Sequence, residues 1–417
     1  MRRWHVRLAA LWLVVPAALG ADGPEGVGND ECVVFYGDKT VYPPGFGYVV
    51  ENFIRVRYPA STSRFWHVGA PGDEFERVET LNAWFDELVV PLHPTVIVLS
   101  TGLGDGLFQK PDEARLATVA SEYGRLIDRC LTSGARVYVV TPPPPSIARK
   151  QVLGSLHYDG TVKRIGDAIA GVAREKGVPV VDWYGAIVTL QAGGKATDLT
   201  GRDGLTPSEF SHSVAAKALM EAWRLEPLDV LVTVNWTGRT VTTSHGRAEV
   251  VEESSNIVRL KLSEFPIPLR IVGNPKGEAE VEPPAWMDRC RIVLKLEGVS
   301  DGQISIAAAD SADTGLMFAA SALGEGVNLA AGGPVSQHAA VVGLSDWIAK
   351  KNAAMQTIEF MLQKNRSEPP ERELKGAIDA FVEAGRQYVA GCEKVILRLP
   401  RTMDIELRIS VDTGGGR

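Results

Sequence analysis

Between Glu31 and Trp223 the chain alternates short runs of Val, Ile and aromatic residues with longer segments of helical period, and nothing else in it constrains the fold as much. The strand-like runs are Val33–Tyr36, Phe65–Val68, Thr95–Thr101, Arg136–Thr141 and Val178–Trp183. The helical candidates between and after them are Phe46–Arg57, Glu74–Val89, Asp112–Thr132, Thr161–Lys176 and Pro207–Trp223. In Asp112–Thr132 the residues Leu116, Val119, Tyr123, Leu126 and Ile127 fall on one face, and Gly134 stands where a helix C-cap belongs. Five such strands separated by helices predict a parallel sheet, so the fold class is α/β, a three-layer αβα sandwich of flavodoxin-like type. Ligands of open α/β sheets bind beyond the carboxyl ends of the strands. The residues after Val33-Val34-Phe35-Tyr36, namely Gly37-Asp38-Lys39-Thr40, are therefore where chemistry would sit.

A chain of 417 residues, 45% hydrophobic, is long enough for two or three domains at ~100–200 residues each. Residues 1–20 are excluded from the core. Arg2, Arg3 and Arg7 precede the apolar run Leu8–Leu19, and Ala18-Leu19-Gly20 offers small residues for cleavage, which predicts a signal peptide removed near Gly20/Ala21. The protein is expected to be exported, periplasmic or extracellular. No later segment approaches the ~20 apolar residues of a membrane crossing, so it is not expected to be an integral membrane protein once the leader is cut.

The net charge is −7, and losing the leader makes it more acidic. With no basic cluster to neutralise phosphates, nucleic acid is excluded as a partner class. Four cysteines, Cys32, Cys130, Cys290 and Cys392, allow three pairings in an exported chain. Cys290 and Cys392 each head a strand-like pattern, which suggests that they lie level and close enough to bridge. No Cys-x-x-Cys spacing occurs and the seven histidines are scattered, so neither a metal site nor a cofactor is implied.

Past Leu225 the pattern changes. From Leu228 to about Ala308 apolar and polar residues alternate between turn signals, which predicts a β-rich second domain over residues 226–417. Two helical stripes follow, Val341 to Leu362 and Leu374 to Tyr388, on either side of the breaker Ser367-Glu-Pro-Pro; they predict a helical hairpin over about 335–390. Two closing strands, Lys394–Leu399 and Ile405–Val411, complete the reading.

Gly37-Asp38-Lys39 resembles the first block of the SGNH (GDSL-type) esterase and lipase family, in which a serine nucleophile stands at the position of Lys39. The resemblance covers residues 30–225. In the second block, His67-Val-Gly69-Ala-Pro-Gly72-Asp73, Gly72 matches the oxyanion glycine. In the third, Gly102-Leu103-Gly104-Asp105, Gly104 stands where an asparagine amide would be the second oxyanion donor. In the fourth, Asp203-Gly-Leu-Thr206, the orienting Asp203 is present and Thr206 occupies the position of the histidine base. Thr206-Pro207-Ser208-Glu209 reads at the same time as a capping box with Thr206 capping the last helix. Glu264-Phe-Pro-Ile-Pro-Leu269 and Gly326–Ala330 resemble parts of the C-terminal extension of some exported bacterial members.

The resemblance implies acyl esters of lipids, sugars or small molecules as ligands, together with a catalytic set in which serine, asparagine and histidine are replaced. Three readings follow. The protein is a pseudo-esterase that binds a ligand or partner without cleaving it; or an active esterase with relocated machinery, using Ser61, Ser63 or Ser100 with His67 or His212; or a structural or assembly module. With its histidine gone, Asp203 needs another partner, and Lys39 is the expected one.

Overall fold

In the computed structural model the first strand, β1 (Cys32–Gly37), is buried along its whole length. Its side chains alternate between two helical layers, which is why the run is apolar throughout rather than at every second position. Val33 and Phe35 pack with α1 (Phe46–Arg57), whereas Val34 and Tyr36 face α2 (Val78–Leu88) and α3 (Glu113–Thr132). The structure describes residues 27–41, 45–69, 77–110, 112–145, 158–193, 199–201, 203–269, 290–310, 315–331, 333–367 and 372–412. The leader and Gly72 lie outside them.

The other strands of this sheet are β2 (Arg64–Gly69), β3 (Val96–Ser100), β4 (Arg136–Val140) and β5 (Val180–Val181). Their order is β2-β1-β3-β4-β5, with every pair parallel. Helix α4 (Tyr158–Glu175) joins α2 and α3 on one face, through Ile165, Ile169 and Ala173. On the other face α5 (Trp183–Ala192) and α6 (Glu209–Ala222) join α1. This is the predicted αβα sandwich. Several boundaries shift by a few residues, α4 starting at Tyr158 rather than Thr161, and α5 is not among the expected helices; two of the differences have a visible cause. The fifth strand stops at Val181 because Asp182 caps α5, its carboxylate accepting the Gly185 N–H at 2.9 Å. The final helix begins at Glu209, capped by Ser208 rather than by Thr206: the Ser208 hydroxyl accepts the Ser211 N–H at 3.1 Å, and the Thr206 hydroxyl is turned to Asp203 instead.

The second half opens with β6 (Leu228–Asn235), β7 (Thr240–Thr243), β8 (Arg247–Glu253) and β9 (Ile257–Pro266). It continues with β10 (Cys290–Glu297), β11 (Gln303–Ala308), β12 (Leu316–Ala319), a short α7 (Ala320–Glu325) and β13 (Val327–Asn328). After a one-turn α8 (Gly333–Ser336) come the long helices α9 (Ala339–Ser367) and α10 (Arg372–Arg398), then β14 (Thr402–Asp412). The strands form two sheets, ordered β13-β10-β6-β7 and β12-β11-β14-β9-β8. Val230, Val232 and Leu294 of one sheet and Leu260, Ile306, Leu407 and Ile409 of the other share a single apolar cluster with the α1 side of the first domain. The predicted strand Lys394–Leu399 is not formed. Lys394–Arg398 belong to α10, where Ile378, Val382, Val389, Cys392 and Ile396 make a buried helical stripe that overrides the local β propensity of Val395 and Ile396. The expected Cys290–Cys392 bridge is absent for the same reason: Cys392 is a free, buried thiol on helix α10, and Cys32 on β1 and Cys130 on α3 are free and buried as well.

The helical hairpin docks on the β2 edge of the first domain through charge as well as apolar contact. The Lys351 ammonium of α9 is fully buried and donates to Glu51 of α1 at 2.5 Å, to Glu393 of α10 at 2.8 Å and to the Phe65 carbonyl at 3.0 Å. Arg55 reaches Glu393 at 2.5 Å and lies over the Phe65 ring. Burial alone would raise the Glu51 pKa, but the charge of Lys351, the nearby His67 and Arg55 outweigh it and bring it from 4.5 to about 2.

Removing one partner of such a cluster strands the others. Lys351→Met should destabilise the fold by roughly 3–5 kcal/mol, read from urea midpoints, while Lys351→Met with Glu51→Gln should recover part of the loss. Because the Glu51 pKa is depressed, its contribution is fully present above pH 4.5 and is lost as pH falls toward 2. The acid limb of the wild-type stability curve should therefore flatten in Glu51→Gln.

Candidate functional site

The site forms where β1 and β3 end side by side. Gly37 is obligatory there, since a Cβ at this position would lie 1.7 Å from the Ser100 carbonyl oxygen. The close approach lets the Asp38 N–H donate to that oxygen at 3.2 Å. Thr40 adds its hydroxyl, which donates to the Ser100 carbonyl at 2.7 Å and lies 2.8 Å from the Ser100 hydroxyl. The Asp38 carboxylate, fully buried, accepts N–H groups from Thr40 at 2.8 Å, Gly102 at 3.1 Å and Leu103 at 3.3 Å. Burial pushes its pKa above the ordinary value in spite of these bonds. Asp38 is thus the pin between the first block and the third, and sequence reasoning passed over it. Its signal was position: an acid directly after the glycine that ends a buried strand.

The third block is supported from below. Asp105 is fully buried and accepts the Val78 N–H at 3.0 Å and the Arg115 guanidinium at 3.3 Å, while its second oxygen has no partner among the described residues. Arg115 also donates to the Asp105 carbonyl and pairs with Glu79. Burial and the neighbouring Asp38 raise the Asp105 pKa to about 7, against the opposing pull of Val78 and Arg115. Gly104 contributes a carbonyl that accepts the Leu107 N–H at 2.9 Å, but no side-chain donor.

The fourth block closes on itself. One Asp203 oxygen accepts the N–H groups of Leu205 at 3.0 Å and Thr206 at 2.9 Å, and the other accepts the Thr206 hydroxyl. Partial burial acts upward on its pKa, but those bonds and the charge of Lys39 prevail and hold it below the ordinary carboxylate value. Lys39 is thus near enough for its charge to act on Asp203, whose carboxylate is bonded within its own loop. Leu205 packs on Leu103, Tyr158 and Val162, which seats the Asp203–Thr206 loop against the Gly104 loop. Lys39, Gly104, Asp203 and Thr206 are accordingly brought together at one end of the sheet. The position of Gly72 lies outside the described residues. Next to it, the buried Glu359 of α9 accepts the Gly69 N–H at 3.3 Å, so the second domain braces the strand that leads to that block.

Residues 33–213 match the family model of GDSL-like lipases and acylhydrolases. The N-terminal domain is a GDSL-like lipase/acylhydrolase domain. A gut microbial diltiazem-metabolizing enzyme has the same architecture over both domains of the chain: its structure superposes with a TM-score of 0.72 at 17% identity, over 94% of this chain and 100% of that one. The lipase/acylhydrolase from Enterococcus faecalis (TM-score 0.38, 18% identity) covers 46% of this chain and 94% of its own. The acetylxylan esterase Axe2 from Geobacillus stearothermophilus (TM-score 0.40, 18% identity) covers 48% and 97%. No curated protein matches the chain by sequence.

The alternative nucleophiles and bases of this GDSL-like domain are placed elsewhere or occupied. Ser61 and Ser63 precede β2, at the opposite end of the sheet, where Ser63 donates to the Gly28 carbonyl at 2.8 Å. Ser100 is at the correct end, but it is fully buried and bonded to Thr40. His67 is buried too, stacked on Phe35 at 5.0 Å and 3.5 Å from Glu51, and burial lowers its pKa. His212 sits inside α6 against Trp183, its pKa lowered by burial to about 4. Among the described residues neither histidine is bonded to a serine, and no group of three or more His, Cys, Asp and Glu side chains is placed to hold a metal ion. Nor is any helix among them long and apolar enough to cross a membrane.

The raised Asp105 pKa has a measurable sign. The folded state keeps a proton that the unfolded chain releases, so stability should fall as pH rises from 3.8 to about 7 and stay low above it. Asp105→Asn should remove this slope, gaining on wild type between those limits. Urea midpoints at the two ends of the range test it, and an equal difference at both would contradict it.

Proposed function

We propose that this is an exported protein whose GDSL-like domain no longer hydrolyses esters and instead binds an acyl-bearing ligand, an ester, glycan or lipid, in the former active-site cleft. The observation that carries this reading is the Asp203–Thr206 bond. The carboxylate that would orient a base is bonded to a hydroxyl, which cannot accept a proton usefully near neutral pH. Lys39, at the nucleophile position, would form on acylation an amide that resists hydrolysis. Gly104 supplies no amide donor to an oxyanion, a loss of about 10²–10³ in rate by itself. The relocated esterase is disfavoured because each candidate serine is bonded elsewhere or sits at the wrong end of the sheet. Export rests on the arginines and apolar run of residues 1–20, and the ligand class on the lipase and acylhydrolase family description.

Purified protein lacking residues 1–20 should show no turnover of activated aryl esters above background, and a serine-acylating reagent should label nothing. A labelled serine, or turnover that disappears when His67 or His212 is replaced, would overturn the reading. Lys39→Ser, Gly104→Asn and Thr206→His combined should restore measurable turnover, while each single change should not, because a nucleophile and its base act as a unit. The helix cap is no obstacle to this experiment, since Ser208 rather than Thr206 provides it.

A further inference from the structure

Helix α10 has two apolar faces, and only one of them is used. Ile378, Val382, Val389, Cys392 and Ile396 are buried against the rest of the chain. Beside them runs a second stripe, Leu374, Ala377, Phe381, Ala384, Tyr388 and Gly391, every member of which is exposed. Leu374 is 57% exposed, Phe381 46% and Tyr388 51%, so large apolar side chains stand in solvent at three successive heptad positions. The spacing of three and four residues is that of a coiled-coil seam. Large and small residues alternate along it, and a side chain added at Gly391 would meet nothing within 4 Å. The charged residues Lys375, Asp379, Glu383 and Arg386 lie on the remaining arc of the helix, away from the seam.

We infer that this seam pairs with the same seam of a second copy of the chain, the two α10 helices running antiparallel about a two-fold axis. The alternation selects the partner and the register. When Leu374 is set opposite Gly391 of the other copy, Ala377 falls opposite Tyr388 and Phe381 opposite Ala384, so each large residue meets a small one throughout. A stripe that is complementary to itself in reverse is what an isologous two-fold contact requires. A parallel arrangement would instead set Phe381 against Phe381 and Gly391 against Gly391. The contact is short, about 26 Å of helix. A contact this short makes a reversible dimer rather than an obligate one.

Sedimentation equilibrium of the full chain after leader removal tests this. The expected result is a monomer–dimer equilibrium that Phe381→Glu weakens at least ~10-fold with unchanged far-UV circular dichroism, because Phe381 makes no core contact that the fold needs. Gly391→Leu should weaken the dimer as well, and adding Leu374→Ala in the same chain should restore it, since the register places those two positions face to face. A protein that stays monomeric to ~100 µM overturns the proposal. So does a dimer indifferent to Phe381→Glu, which would use another surface, and so does failure of Leu374→Ala to rescue Gly391→Leu, which would exclude the antiparallel register.

Discussion

The contact on which the two halves of the molecule depend is the buried ammonium of Lys351, held between Glu51 of the sandwich and Glu393 of the helical hairpin. A charge of this kind is costly to desolvate and repays the cost only when its partners are in place, so it adds less to net stability than to the uniqueness of the docked arrangement. Four elements converge on it: α1, β2, α9 and α10. The hairpin is therefore fixed in one position on the β2 edge, and Glu359, a little more than two turns along α9 from Lys351, is delivered to the Gly69 N–H beside the site. The apolar core is equally shared, because the cluster that contains Phe35 and Phe46 runs on through Val232 to Ile409. The second domain is thus part of the support of the first rather than an appendage to it.

The sandwich was legible because its strands are buried on both faces, which leaves an uninterrupted apolar signature such as Val33–Tyr36, and because its helices carry well-separated stripes such as Leu116 to Ile127. Where the reading failed, two local signals competed. At 394–399 a short β-branched run lies inside a helical stripe whose inward residues, Val389, Cys392 and Ile396, bridge it to the preceding turns. At Val180–Trp183 the strand is cut short by an aspartate cap that only the geometry of Gly185 reveals. The order in which β14 enters its sheet, between β11 and β9, was not legible at all: pairing of the last strand with two distant ones leaves no mark on local sequence.

The candidate site was legible as a set of positions and not as a set of bonds. Lys39, Gly104, Asp203 and Thr206 could be aligned with the blocks of a family, and they do meet at one end of the sheet. Which group each would hold depended on neighbours that the sequence does not rank. Charge favoured Lys39 as the partner of Asp203, yet Thr206, three residues away, reaches the carboxylate with both hydroxyl and N–H. A partner within the same short loop bonds the carboxylate at little cost in chain entropy, and a reading based on charge alone does not anticipate it.

A division of labour among the site residues follows from these bonds. Asp38 and Asp203, which match the family pattern, each hold backbone N–H groups: Asp38 those of Thr40, Gly102 and Leu103, Asp203 those of Leu205 and Thr206. Gly37 permits an approach that any Cβ would block. These residues are required by the loops whether or not an ester is ever cleaved. The positions that depart from the pattern, Lys39, Gly104 and Thr206, are those where the family's side chain would serve nucleophile, oxyanion donor or base. Loss of a backbone-bonding carboxylate would destabilise its loop, whereas a change at a position whose side chain bonds no backbone leaves the loop standing. The retained residues are thus those whose bonds hold the loops in place, and their presence is explained by the fold itself, whatever the site binds or cleaves.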